Sequence, residues 1–289
     1  MKATDALRVL SGLTASQWGM VTTAQAAARG VTRMDLSRLT RGGHLERLGH
    51  GVYRDAGTPT DRFSSVKTAW LSIEPTFTAD ERLRAAASDA VVSGATAAFV
   101  LGLGDLVPEP YEFTVRARRQ TQRDELVFNT GQLTLESITI RDGLPVTTPE
   151  QTIADLIERR VDRTLVAGVL ADVDVFDRER LVALLARLAQ RNGFRRDDGE
   201  AFVADLERLA GRDLVSLTKA MLDALRPVLD SQRDGIDSIA KAIAAAAPLP
   251  NPALAKQVGR LVTSNQVNAA MPAGGITRDD SSSNQKDSR

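Results

Sequence analysis

Thr22–Gly43, TTAQAAARGVTRMDLSRLTRGG, is a stretch in which two short helices are punctuated by their own stop and start signals. Thr22 can cap an Ala-rich turn and a half of helix, and Gly30 suits the left-handed stop after it. Val31 opens the turn. Thr32 caps a second helix, with Asp35 three residues on, where a carboxylate favours the positive helix end. The pattern then runs to Arg41 before Gly42 and Gly43. At roughly 100° per residue, Leu36 and Leu39 fall on one face of this second helix. Met34, Ser37, Arg38 and Arg41 gather opposite, with Arg33 at the flank. One side packs, and the other carries long cations and a small hydroxyl, the groups that bond phosphate oxygens and guanine edges in a major groove.

Working outward, Leu45–Leu48 and Val52–Arg54 read as two short strands joined through Gly49-His50-Gly51, a glycine-dependent turn. Upstream, Asp5–Leu10 repeats apolar residues at helical spacing, and Thr14–Val21 around Trp18 is expected to continue as a short packing helix. Helices, turn, second helix and basic hairpin are in the order of a winged helix-turn-helix, which points to duplex DNA. Charge agrees. The chain of 289 residues has 37 Lys+Arg against 37 Asp+Glu. Residues 1–54 nevertheless hold eight cations (Lys2, Arg8, Arg29, Arg33, Arg38, Arg41, Arg47, Arg54) against three acids (Asp5, Asp35, Glu46). The positive end coincides with the expected reader.

Composition narrows the remaining classes. Apolar content of 43% and charged content of 26% are those of an ordinary soluble protein, and the length suggests two domains. No apolar run reaches a membrane span and the start has no signal-peptide core, so no membrane association and a cytoplasmic location are expected. There is no Cys, and His occurs only at His44 and His50. Cys/His zinc ligation, thiol catalysis and distributed Ser-His-Asp triads are thereby set aside. The two histidines are expected to be hairpin or phosphate-facing residues.

Ala56-Gly57-Thr58-Pro59 marks a hinge, giving a DNA-binding domain at 1–56. Beyond it, Phe63–Ile73 and Thr78–Ala87 are expected helices, the latter with Thr78 as cap and Glu81 three residues later. A strand at Val91–Gly94 precedes an Ala-rich segment, Ala95–Leu101. Tyr111–Arg116, Glu125–Phe128, Leu133–Ile140 and Leu144–Thr147 have strand texture. Thr148-Pro149-Glu150-Gln151 is a helix start of cap, first-turn proline and third-position glutamine. Helices are expected at Arg163–Leu170, Arg178–Gln190, Glu200–Leu209, Leu214–Leu229 and Ile236–Ala246. The fold class is therefore α+β: an N-terminal winged helix-turn-helix, a mixed α/β domain at 57–195, a helical C-terminal extension at 196–271 and a disordered tail at 272–289.

Ala15–Arg54, ASQWGMVTTAQAAARGVTRMDLSRLTRGGHLERLGHGVYR, resembles the N-terminal domain of AbiEi-family antitoxins of type IV toxin-antitoxin systems. The likeness is carried by Gln17-Trp18-Gly19, Thr22-Thr23, Gly30 and Gly51-Val52-Tyr53. Gly143–Leu156, GLPVTTPEQTIADL, resembles the strand-to-helix junction of that family's second domain. The resemblance covers residues 1 to about 190. It implies an antitoxin, encoded beside a nucleotidyltransferase-like toxin, whose N-terminal domain represses the shared promoter and whose second domain supports neutralisation. It gives Thr32–Arg41 the groove and Arg47–Arg54 the wing. The expected DNA contacts are then Thr32, Arg33, Met34, Ser37, Arg38, Arg41, Arg47, His50, Tyr53 and Arg54. Two copies on an inverted repeat are expected, and the toxin is to be opposed by contact or through its target.

Other chemistry is weighed against this. Asp172, Asp174 and Asp177 have the spacing of a metal-binding carboxylate group, but the Gly-Ser loop of a nucleotidyl-transfer site is missing and capping explains them better. A nuclease reading of Glu136, Asp142 and Glu150 lacks its lysine, since none lies between Lys67 and Lys219. No Gly-rich phosphate loop occurs, so no catalytic residue, metal or cofactor is expected. Arg116, Arg118, Arg119 and Arg123 form a second basic run. It suits a wider DNA footprint, an acidic toxin or RNA; if the strand before it persists, alternation prevents all four from meeting one surface. Two other functions stay open: a stand-alone winged-helix transcription factor with a ligand-sensing or dimerising second domain, and an atypical nuclease or transferase.

Overall fold

A three-residue strand that the periodicity concealed organises the N-terminal part. The structure, a computed structural model, describes residues 1–84, 90–212 and 218. Helix α1 (Ala3–Ser16) is a single element, and β1 (Met20–Thr22) follows where a second packing helix was expected over Thr14–Val21. The helix stops because Gln17 turns its side chain inward and Trp18 takes φ +51 before Gly19. The main chain of Met20–Thr22 then pairs antiparallel with Val52–Arg54. Helices α2 (Thr23–Ala28) and α3 (Arg33–Arg41) come next, then β2 (Leu45–Gly49) and β3 (Val52–Asp55). The sheet order is β1-β3-β2, all antiparallel, with one extra residue at Leu48 where the register shifts.

Both faces of this small sheet are covered. Val21 and Leu45 join Ala6, Leu10 and Leu13 of α1, Ala26 of α2, and Leu36 and Leu39 of α3, with Tyr53 packed at the margin. Met20 and Val52 point the other way, into a core shared with Val66, Ala69 and Trp70 of α4 (Ser64–Ile73) and with the strands beyond it. Alternation along a strand requires this split.

The second sheet has order β6-β5-β4-β8-β7. After α4 and α5 (Ala79–Arg84) come β4 (Ala90–Val92), α6 (Gly94–Leu101), β5 (Tyr111–Val115), β6 (Leu126–Thr130), β7 (Ile138–Arg141) and β8 (Leu144–Thr147). The pairs β4–β8 and β5–β6 are parallel, and β4–β5 and β7–β8 antiparallel. The strand expected over Leu133–Ile140 is shorter, because Leu135–Ser137 forms a 3₁₀ turn before β7. The class is mixed α+β, and the chain continues into a helical part: α7 (Pro149–Glu158), α8 (Arg163–Asp172), α9 (Arg178–Ala189) and α10 (Gly199–Leu209). Ile153, Leu156, Val166, Leu170, Leu181, Leu185, Phe202 and Leu206 fill its core. The helices expected at Leu214–Leu229 and Ile236–Ala246 and the tail at 272–289 lie outside the described residues.

Three of the acids considered for metal chemistry, Asp172, Asp177 and Glu150, accept from backbone amides at loops and helix starts. Asp172 accepts from the Gly104 amide at 2.8 Å, Asp177 caps α9 through the Arg180 amide at 3.0 Å, and Glu150 accepts from the Asp177 amide at 2.8 Å. Asp142 takes φ +51 in the β7–β8 turn, and Glu136 faces Arg180 at 3.7 Å. Among the described residues no group of three or more His, Cys, Asp or Glu is placed to hold a metal ion. No described helix is long and apolar enough to cross a membrane.

One carboxylate inside the helical part is a stability liability. Asp155 on α7 is 8% exposed, accepts from Gln151 Nε2 at 2.8 Å through Oδ1, and leaves Oδ2 buried without a partner among the described residues. Burial pushes its carboxyl up to about 6 against the opposing Gln151 bond. The folded state thus holds this proton more tightly than the unfolded chain. Its contribution to stability is full below about pH 4 and is lost as pH rises towards 6. Asp155→Asn is expected to flatten that slope and to raise unfolding free energy at pH 8 by roughly 1–3 kcal/mol, read from urea denaturation at pH 4.5 and 8.

Candidate nucleic-acid interface

Helix α3 is held at its start by reciprocal bonds. The Thr32 hydroxyl accepts from the Asp35 amide at 3.1 Å, and Asp35 Oδ2 accepts from the Thr32 amide at 3.0 Å and from its hydroxyl at 2.6 Å. This satisfies donors that the first turn would leave open. The same Thr32 hydroxyl and amide hold the Asp35 carboxyl down to about 2, so the box persists through the physiological pH range. Helix α2 starts in the same manner, with Thr22 and Gln25 as partners. Between the helices Gly30 has φ +76, a conformation strained for any side chain, although a Cβ there would meet nothing within 4 Å. The backbone there is closed by the Gly30 amide on the Ala27 carbonyl at 2.9 Å and the Val31 amide on the Ala26 carbonyl at 3.0 Å.

Burial divides α3 as its winding requires. Leu36 and Leu39 are fully buried, whereas Met34 is 80% exposed and Thr32, Arg33, Arg38 and Arg41 are exposed as well. Ser37 lies half-buried and accepts from Arg41 Nη2 at 3.2 Å. Arg38 donates to Asp35 Oδ1 at 2.6 Å and to the Met1 carbonyl, which holds its guanidinium along the helix surface. Six residues singled out on this element thus share one outward surface.

The hairpin sorts its residues differently. Arg47 and His50 are exposed, and Arg47 Nε reaches the Gly49 carbonyl at 3.4 Å. Tyr53 is half-buried on the face towards α1–α3. Arg54 is turned inward: it is 6% exposed, with Nη2 2.6 Å from Glu46 Oε2 and with Nε and Nη1 buried without hydrogen-bond partners among the described residues. Its position on β3 opposite Glu46 makes this a cross-strand ion pair. A guanidinium so enclosed braces the hairpin. Sequence spacing counted it with the exposed cations because alternation along β3 does not tell which faces are covered.

A polar network missed by sequence reasoning ties this part to the following helices. Gln17 and Gln25 bond each other, Nε2 to Oε1, at 2.9 Å; Gln17 Oε1 also accepts from the Ala79 amide at 2.7 Å, and Gln25 Nε2 donates to the Phe77 carbonyl at 2.7 Å. Both glutamines are buried. Thr22 Oγ1 donates to the Pro75 carbonyl. Nearby, Trp18 meets Trp70 edge-on, with ring centroids 6.2 Å apart, and lies against Gly143. The buried Lys67 ammonium stands over Trp18 at 5.3 Å and 2.5 Å from Asp61 Oδ2. Buried glutamines eight residues apart, bounding a conspicuous tryptophan, were the available signal.

The second basic run is likewise divided. Arg119 donates to the Ile73 carbonyl at 2.6 Å and pairs with Glu74, and Arg123 donates to Ser72 Oγ at 2.7 Å and Glu125 Oε1 at 2.8 Å. Arg116 and Arg118 are exposed in the loop after β5.

Residues 10–54, from α1 through β3, match a family model described as transcriptional regulator, AbiEi antitoxin. The match spans the N-terminal segment, which is thereby similar to antitoxin transcriptional regulators. No curated protein matches the chain. Among solved structures, the crystal structure of the RV2827C protein from Mycobacterium tuberculosis is similar at 21% identity, covering 72% of this chain and 81% of that one, with a TM-score of 0.45.

The Glu46–Arg54 pair yields a stability test. Glu46→Gln leaves a buried guanidinium without its counter-charge, and the loss is tempered because Glu46 itself is more than half exposed. Unfolding free energy is expected to fall by about 1–2 kcal/mol in urea denaturation.

Proposed function

We propose that residues 1–56 are a winged helix-turn-helix that binds duplex DNA, with α3 as recognition helix and the β2–β3 hairpin as wing. The observation that carries this reading is the outward face of α3, where Arg33, Met34, Ser37, Arg38 and Arg41 stand free of the core while Leu36 and Leu39 anchor them from behind. A helix so mounted presents cations to phosphates and one or two guanidinium groups to base edges. Thr32, at the helix start, and Arg47 and His50, on the wing, complete the contact set. Arg54 and Tyr53 support the hairpin from within.

The family match over residues 10–54 supports a role as a regulator-antitoxin. We take the finer steps as follows. The protein occupies an inverted repeat in its own promoter as two copies and represses its operon. Residues 57–195 counteract a nucleotidyltransferase-like toxin encoded alongside, and both proteins act in the cytoplasm. No catalytic step is assigned to the chain.

The first test is DNA binding. A fragment from immediately upstream of the gene is expected to be retarded in a mobility-shift assay, and Arg38→Ala and Arg41→Ala each to weaken the complex. A lost bidentate base contact is worth about 1–3 kcal/mol, or roughly 5- to 150-fold in affinity, and the larger loss marks the residue that touches a base. Unaltered affinity in both variants would remove α3 from the interface. The second test is co-expression: arrested growth on induction of the adjacent nucleotidyltransferase-like gene, restored by this protein, supports the antitoxin role. Failure to restore growth overturns it.

A further inference from the structure

We infer that Met34 reads the 5-methyl group of a thymine on the floor of the major groove, between cations that approach phosphates at either side. This rests on the DNA-binding reading above and gives that face a base-specific contact which its arginines do not supply. The starting point is a mismatch of polarity. On α3 the exposed surface is cationic, yet its most prominent position holds the one large apolar side chain that the helix exposes.

Winding shows how prominent that position is. At about 100° per residue, Leu36 and Leu39 centre the buried side of α3, and the direction opposite to them passes within about 10° of Met34 and Arg41. Ser37 falls about 50° to one side with Arg33 beyond it at about 90°, and Arg38 falls about 50° to the other. Met34 therefore points directly away from the leucine anchors, and it is 80% exposed. It also lies in the first turn, next after Arg33, and the N-terminal residues of a recognition helix are those that meet base edges.

Its neighbours are committed otherwise. Arg38 is drawn along the helix by Asp35 Oδ1 at 2.6 Å, and Arg41 Nη2 donates to Ser37 Oγ at 3.2 Å. The acid of the helix, Asp35, is 7% exposed at its side chain and is taken up by Thr32 and Arg38. The outward face thus carries no free carboxylate to repel a duplex, and cations stand on both flanks of the apex.

Chemistry then selects what the apex can recognise. A thioether on a saturated stem donates no hydrogen bond and accepts only weakly, so it gains nothing from a phosphate or from the polar edge of a base. Among the groups that the four base pairs present in the major groove, the thymine methyl is the apolar one, and the minor groove presents none. Methionine is also unbranched and polarizable, which lets it settle against a methyl whose position shifts a little with docking.

The full-length protein tests this by fluorescence anisotropy on the fragment from immediately upstream of the gene, made once with thymidine and once with deoxyuridine at every thymidine position. The exchange removes the methyl groups and leaves every base-pairing group in place. The unaltered chain is expected to bind the uracil duplex about 3- to 5-fold more weakly for each copy bound. Met34→Ala is expected to bind the thymine duplex with a similar loss and to respond no further to uracil, while Met34→Leu keeps the response. The slope of log K against log[salt] is expected to stay the same in Met34→Ala, because no phosphate contact is lost. An unaltered chain that binds both duplexes equally overturns the inference, and so does Met34→Ala if it remains as sensitive to uracil as the unaltered chain. If the unaltered chain fails to bind the thymine duplex, the DNA-binding reading itself fails, and the inference with it.

Discussion

The arrangement depends on a three-stranded sheet that is covered on both faces. In β1 every residue is buried, although the strand is only Met20–Thr22. Val21 faces the helices α1–α3, while Met20, with Val52 of β3, faces α4 and the larger sheet. A sheet with one wet face can be hinged on a linker. One whose faces serve two cores cannot move relative to either without exposing apolar area, at roughly 25 cal/mol for each Å² uncovered. The small sheet therefore fixes how α3 is mounted and also where the wing lies, alongside α4. The buried Gln17–Gln25 network adds direction to this adhesion, because its donors and acceptors lose their partners if the helices slide.

The same constraint explains how the chain uses its many arginines. A guanidinium next to a covered face has to be paired, and Arg54 meets Glu46 across the strands. A guanidinium at a helix end finds open carbonyls, as Arg119 does at Ile73. Only where no acid or carbonyl is in reach does the cation remain for an external partner. The outward face of α3 and the tip of the loop after β5 meet that condition in different degrees: Arg38 is steered by Asp35 along α3, while Arg33, Arg116 and Arg118 extend freely among the described residues. Charge counting alone treats all of these alike. Potential at the surface is set by the subset that stays uncompensated.

Local signals were legible where the chemistry is local. The capping residues Thr22, Thr32 and Thr148 each accept from an amide three residues ahead, an outcome that depends on a few adjacent side chains. The spacing of Leu36 and Leu39 told which side of α3 is buried for the same reason. Strand β8, the start of α7 and both ends of α8, α9 and α10 were read within a residue or two. By contrast β1 was taken for helix, since three residues around a tryptophan carry too little periodicity, and a strand so short exists only because β3 supplies its hydrogen bonds from thirty residues away. Leu133–Ile140 was read too long, because alternation does not register the 3₁₀ turn at Leu135–Ser137.

The sequence by itself determined the α+β class, the two capped helices, the hairpin after them and the excess of positive charge in the first 54 residues. These are properties of neighbouring residues and of composition. Tertiary structure decided which arginines are braces and which are free, and that the small sheet is shared between two cores. Each of those outcomes depends on which groups from distant parts of the chain arrive within hydrogen-bond or Coulomb range, and that is settled by packing rather than by order along the backbone.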